Sequence, residues 1–101
     1  MTSKDYNSAI TSYAGNTVDM LNNYDLHIVN NTAAATVYLP NSANYADGYT
    51  TSVVLTGAFA STFNALVGSG DTLTGVTTTG VVANVKYTIY KTGTGAWFIS
   101  S

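Results

Sequence analysis

Few side chains in this sequence could do acid, base, nucleophilic or metal chemistry, and their spacing is informative. His27 is the single histidine, so one chain holds neither a two-histidine acid/base pair nor a multi-histidine metal site. There is no Cys, which removes thiol chemistry, disulfides and Cys-based zinc sites. The carboxylates are Asp5, Asp19, Asp25, Asp47 and Asp71, with no Glu. They are spread along the chain and mostly flank turns, where Asp bonds its local backbone, and are not paired as acid and base. No G-x-S-x-G elbow accompanies His27. A P-loop and a dinucleotide fingerprint are also missing. The expectation is a non-enzyme with no catalytic residue, no cofactor and no metal site, in which His27 lies at a surface or interface.

Two weaker signals have plain explanations. The segment Gly68-Ser69-Gly70-Asp71-Thr72-Leu73-Thr74-Gly75 has the look of one calcium-binding nonapeptide of a β-roll. Such sites need adjacent repeats, and this segment occurs once, so it reads as a turn with Asp71 opening a strand. Asn30-Asn31-Thr32 matches a glycosylation sequon, a cheap match in a chain with 10 Asn and 17 Thr. The aromatic residues are better binding candidates. Tyr and Trp bring contact area together with a polar handle, and Tyr45 and Tyr49 form a candidate exposed binding loop. Trp97 reads as core.

These residues sit on short strands. At 101 residues the chain fits one domain. From Tyr24 onward, alternating runs are separated by turn residues. Asp25-Leu26-His27-Ile28-Val29 puts Leu26 and Ile28 on one face and His27 on the other. Thr36-Val37-Tyr38-Leu39 ends at Pro40, which has no donor for a ladder. Thr51-Ser52-Val53-Val54-Leu55-Thr56 follows the loop 41–48. Residues 58–67 carry Phe59, Phe63 and Leu66 at helical spacing, with Ser61 or Thr62 as cap, and read as irregular or as one short helix. Val85-Lys86-Tyr87-Thr88-Ile89-Tyr90 is the clearest strand and pairs through residues 91–95 with Ala96-Trp97-Phe98-Ile99. About seven antiparallel strands result, an all-β, small β-sandwich or jelly-roll-like domain over 25–101. Residues 1–24 read as an N-terminal arm or a first strand. In the arm reading Tyr6, Ile10, Tyr13, Met20 and Leu21 contact a capsid or another subunit.

Charge narrows the partners. Three Lys and no Arg leave no footprint for nucleic acid, and the net charge is −2. No apolar run approaches the length of a membrane helix, and the N-terminus lacks the apolar core of a signal peptide. The expected protein is therefore made in the host cytoplasm and binds neither nucleic acid nor membrane. Several strands carry apolar residues on both faces: Ile89 against Tyr90, Trp97 against Phe98, Val53 and Leu55 against Val54. A solitary antiparallel sheet wets one face, so a second copy is expected to cover the other.

The order Val37-Tyr38-Leu39-Pro40, Asn41-Ser42-Ala43, Ala46-Asp47-Gly48, then Gly70-Asp71-Thr72-Leu73-Thr74-Gly75 and the final Gly95-Ala96-Trp97-Phe98-Ile99 resembles small β-domain structural proteins of tailed bacteriophages. These are head decoration (cement) proteins, head fibres and tail-fibre tips, and the likeness covers roughly residues 25–100. The resemblance implies a homotrimer on the outer surface of the virion, bound to the major capsid protein or another virion protein, with no catalytic residues to carry over. A chain of 101 residues fits a decoration subunit better than the tip of a long fibre. The alternative is a receptor- or glycan-binding fibre-tip module using Tyr45 and Tyr49.

Overall fold

The computed structural model describes residues 10–20, 24–75 and 79–101. The fold is all-β, as expected, but more finely divided and differently paired. The strands are β1 (Ile10–Ala14), β2 (Thr17–Asp19), β3 (Leu26–Asn30), β4 (Thr36–Tyr38), β5 (Thr50–Leu55), β6 (Ser61–Asn64), β7 (Thr72–Gly75), β8 (Thr79–Val81), β9 (Tyr87–Gly93) and β10 (Ala96–Ser100). They form a six-stranded sheet in the order β1-β3-β5-β9-β10-β7 and a four-stranded sheet in the order β2-β4-β6-β8. Over 25–101, where about seven antiparallel strands were expected, eight are found among the described residues, β1 and β2 precede them, and five of the eight pairings are parallel.

The parallel pairings come from a coiled path. The chain runs β1 to β2, β3 to β4 and β5 to β6, each time leaving one strand in each sheet. Each coil stacks in register on the last. Tyr13, Val29 and Leu55 line up on one wall, and Val18, Val37 and Phe63 on the other. The alternation within each strand turns these columns inward, where they build the core with Leu39, Tyr87, Ile89, Trp97 and Ile99. Phe63 meets Tyr87 edge-on across the two sheets, ring centroids 5.5 Å apart.

The corners are where asparagine matters. A coil corner turns backbone N–H groups out of the ladders, and they need partners. Asn16 Oδ1 accepts from the N–H of Thr32 at 2.9 Å and of Ala33 at 3.3 Å, one coil further on. Asn31 repeats the device, its Oδ1 accepting from Gly57 N–H at 2.9 Å while its Nδ2 donates to Ala33 O. Only glycine fits at position 57, because a Cβ there would strike the backbone carbonyl oxygen of Asn31.

The stack is closed by strands running the other way. β8 pairs antiparallel with β6, and β9 with β5. β10 returns along β9 after the two-residue turn at Thr94 and Gly95. β7 lies outside β10, parallel to it. The segment 58–67 is not helical. Ser61–Asn64 is β6, with Ser61 and Phe63 buried, so the helical spacing of Phe59, Phe63 and Leu66 arises from a bend followed by a strand.

Candidate functional site

Of the five residues proposed for capsid or subunit contact, the three that are described do not share one outward face. Tyr6 and Leu21 lie outside the described residues. Met20 is buried in the protein's own core, with its N–H donating to Tyr38 O. Tyr13 is half-buried against His27. Ile10 alone points outward, 59% exposed. The segment 10–20 is thus the first coil of the stack, and two of the candidate contact residues on it, Tyr13 and Met20, are committed inward.

His27 is buried, not at a surface, and the faces of β3 are reversed from expectation: His27 and Val29 point inward, Leu26 and Ile28 outward. Both faces of this strand carry apolar groups, so alternation alone could not say which faces the core. Tyr13 stacks on the imidazole, and its hydroxyl lies 2.8 Å from Nδ1. Tyr24 packs edge-on. Burial outweighs the Tyr24 backbone bond and the nearby Asp25 and lowers the His27 pKa to about 4. The imidazole is therefore neutral at pH 7.

Tyr45 and Tyr49 are half-buried rather than freely exposed. Their rings stack on one another at 4.1 Å, and both meet Trp97 at steep angles. Burial raises the Tyr49 pKa. Trp97 is fully buried, as its reading as core implied. Its Nε1 donates to Pro40 O at 3.1 Å and to Asp71 Oδ2 at 3.2 Å. Asp71 also accepts from Ser42 N–H at 2.8 Å and from Ser42 Oγ at 2.6 Å. Burial pushes the Asp71 carboxyl up, but the bonds from Ser42, Trp97 and Ser69 outweigh it and hold the group below its usual range. Both carboxylate oxygens of the Gly-Asp turn are thus occupied within the protein. Lys91, also buried, reaches Asp47 at 2.8 Å. This aromatic and carboxylate cluster fastens the loop 41–49 to the closing hairpin.

Two outward features remain. A largely apolar groove of about 440 Å³ is lined by Ala58, Phe59, Ala60, Val81, Val82, Ala83 and Asn84, with Phe59 and Val82 exposed. Sequence reasoning missed it because its walls come from two segments more than twenty residues apart. The larger feature is the outer face of the six-stranded sheet. There Ile10, Leu26, Ile28, Val54, Tyr90 and Phe98 lie among Ser, Thr and Ala. The outer face of the four-stranded sheet is ordinary by comparison, with Thr17, Thr36 and Thr62 in one row and Asp19, Tyr38 and Asn64 in another.

No protein-family model, no curated protein and no solved structure matches this chain.

Proposed function

We propose that this chain is a non-enzymatic structural protein of a bacteriophage particle, working as a small homo-oligomer that decorates and stabilises the outer surface of the capsid. The observation carrying this reading is how three titratable groups are used, His27 and Lys91 buried and Asp71 half-buried. His27 is held by Tyr13 and Tyr24, Asp71 by Ser42 and Trp97, and Lys91 by Asp47. Each joins one stretch of backbone to another, which is how side chains are spent in a body built for rigidity. The apolar sheet face supports the association part of the reading, since contiguous apolar surface marks interaction sites. On a particle with many equivalent positions, modest contacts gain through avidity.

Sedimentation of the purified protein with undecorated phage heads tests this. Co-sedimentation that saturates at a fixed ratio to the shell protein is expected. Protein that stays in the supernatant at every ratio overturns the reading. Binding on a glycan array instead would move the function to a fibre-tip module, with Tyr45 and Tyr49 as first suspects.

A further inference from the structure

We infer that the outer face of the six-stranded sheet is a self-association surface that takes the same face of a second copy, the two related by a two-fold axis. The inference rests on the oligomeric part of the reading above and adds to it the surface and its symmetry.

The contrast between the two sheets is the first argument. Both put an apolar set into the shared core. The smaller sheet turns Thr, Asp, Asn and one Tyr outward. The larger turns out Ile10, Leu26, Ile28, Val54, Tyr90 and Phe98, with Ile10 59%, Tyr90 37% and Phe98 40% exposed. Among the described residues no strand or loop is paired over this face.

Charge identifies the occupant. None of the outward side chains on these six strands is charged: the rest are Ser12, Ala14, Asn30, Thr50, Ser52, Thr88 and similar residues. The nearest charges along the chain are Asp25, Asp71 and Lys86, just before β3, β7 and β9, and Lys91 within β9, whose buried side chain is on the inner face. A face meeting a different, charged partner gains steering and register from opposite charges. A face meeting its own copy brings every charge close to its duplicate, so an uncharged face is the one that tolerates self-contact.

Relief is the second argument for a copy. Ser52 and Thr88 pair across β5 and β9 at the middle of the face, with their hydroxyls 3.5 Å apart. The aliphatic group Ile10, Leu26, Ile28 and Val54 lies to one side of that low centre. Tyr90 and Phe98, cross-strand neighbours with rings 6.2 Å apart, lie diagonally opposite. Tyr90 stands four residues along from the level of Val54, about 13 Å at strand rise. A two-fold axis through the centre sets the aromatic pair of each copy on the aliphatic group of the other, which is the self-complementarity an isologous contact requires. Six strands at ~4.8 Å spacing and about five residues in length give a plane of roughly 400 Å². Two such faces bury roughly 800 Å² in all, below the ~1,200 Å² of standard specific interfaces, so the pair is a weak one and its Kd should be roughly hundreds of micromolar.

Sedimentation equilibrium from micromolar to millimolar protein provides the test, using the full chain, Tyr90→Lys, Phe98→Lys, and Val67→Lys as a control in a turn away from the sheet. The native chain and the control should pass from 10.5 kDa to twice that mass. Each face variant, with its added charge present twice at the contact, should weaken pairing by about a hundredfold or more. Melting curves on the same samples confirm that the exposed substitutions leave the fold intact. A native chain that stays monomeric to millimolar, a trimer mass, or undiminished pairing in both face variants overturns the inference. Head binding separates it from the functional reading. A monomer that still binds heads refutes the face and spares the decoration role, whereas a dimer that ignores heads does the reverse.

Discussion

The three stacked coils and the closing hairpin solve the same problem in different ways. In the coils, each strand finds its neighbour one full circuit of chain away, and asparagine side chains at the corners hold one circuit to the next. In the closing half, β9 and β10 are adjacent in sequence and pair through a two-residue turn. A single buried indole and its carboxylate then fasten that hairpin to the loop behind the second coil. The coils spread their cohesion over many small, repeated bonds, and the closure concentrates it. Substitutions should therefore be unequal in the two halves.

The largest loss is expected at the closure. Trp97→Ala removes a fully buried indole and should cost about 3–5 kcal/mol, read as a lower urea midpoint. Next comes the buried imidazole under the first two coils. Its folded pKa of about 4 lies below the ordinary 6.5, so the unfolded chain takes up a proton that the native protein refuses. The stabilisation is present above pH 6.5 and fades as pH falls towards 4. It amounts to about 3 kcal/mol, because each pKa unit is worth about 1.4 kcal/mol. Stability measured from pH 7 to 4 should fall by that amount in the native chain and much less in His27→Phe. An equal slope in both would remove His27 as the cause.

Smaller effects sharpen the contrast. Asp71→Asn keeps the shape but loses the charge in the bonds from Ser42 and Trp97, for about 2 kcal/mol at pH 7. Gly57→Ala forces a Cβ against the Asn31 carbonyl and should cost about 1–3 kcal/mol. Asn16→Ala, which removes one corner acceptor near the surface, should cost about 1 kcal/mol. If Asn16→Ala proved as damaging as Trp97→Ala in denaturant unfolding, the picture of distributed against concentrated cohesion would fail.

The same division decided what was legible in the sequence. The closing hairpin could be read directly, since residues 85–90 and 96–99 alternate strongly and are neighbours along the chain. Pro40 and the Gly-Asp turn were also legible, because both act locally. The coils were not. Their partners lie 16 to 26 residues apart in a parallel register, and nothing local distinguishes such a strand from one side of a hairpin. Asn31 read only as part of a sequon and Asn16 carried no local signal, because the work of both is done on the next coil. His27 was misplaced for a related reason, since its face is fixed by Tyr13, one coil earlier. Of the candidate contact residues, the sequence offered side chains with area to cover but could not separate Met20, which covers its own core, from Ile10, which does not.

The coil stack also has a bearing on how such a protein changes over generations. Strands that repeat in register with a corner asparagine form a unit that can be duplicated or deleted whole. One more circuit would lengthen the body by a single strand spacing, ~4.8 Å, and leave its cross-section unchanged. The loop 41–49 already marks one circuit as a place where extra chain is accommodated outside the strands. The closing strands would need no new ladder, because among the coils their backbones pair only with the last, β9 with β5 and β8 with β6. Height is thus a heritable variable here, open to adjustment in quantised steps while the two ends stay as they are.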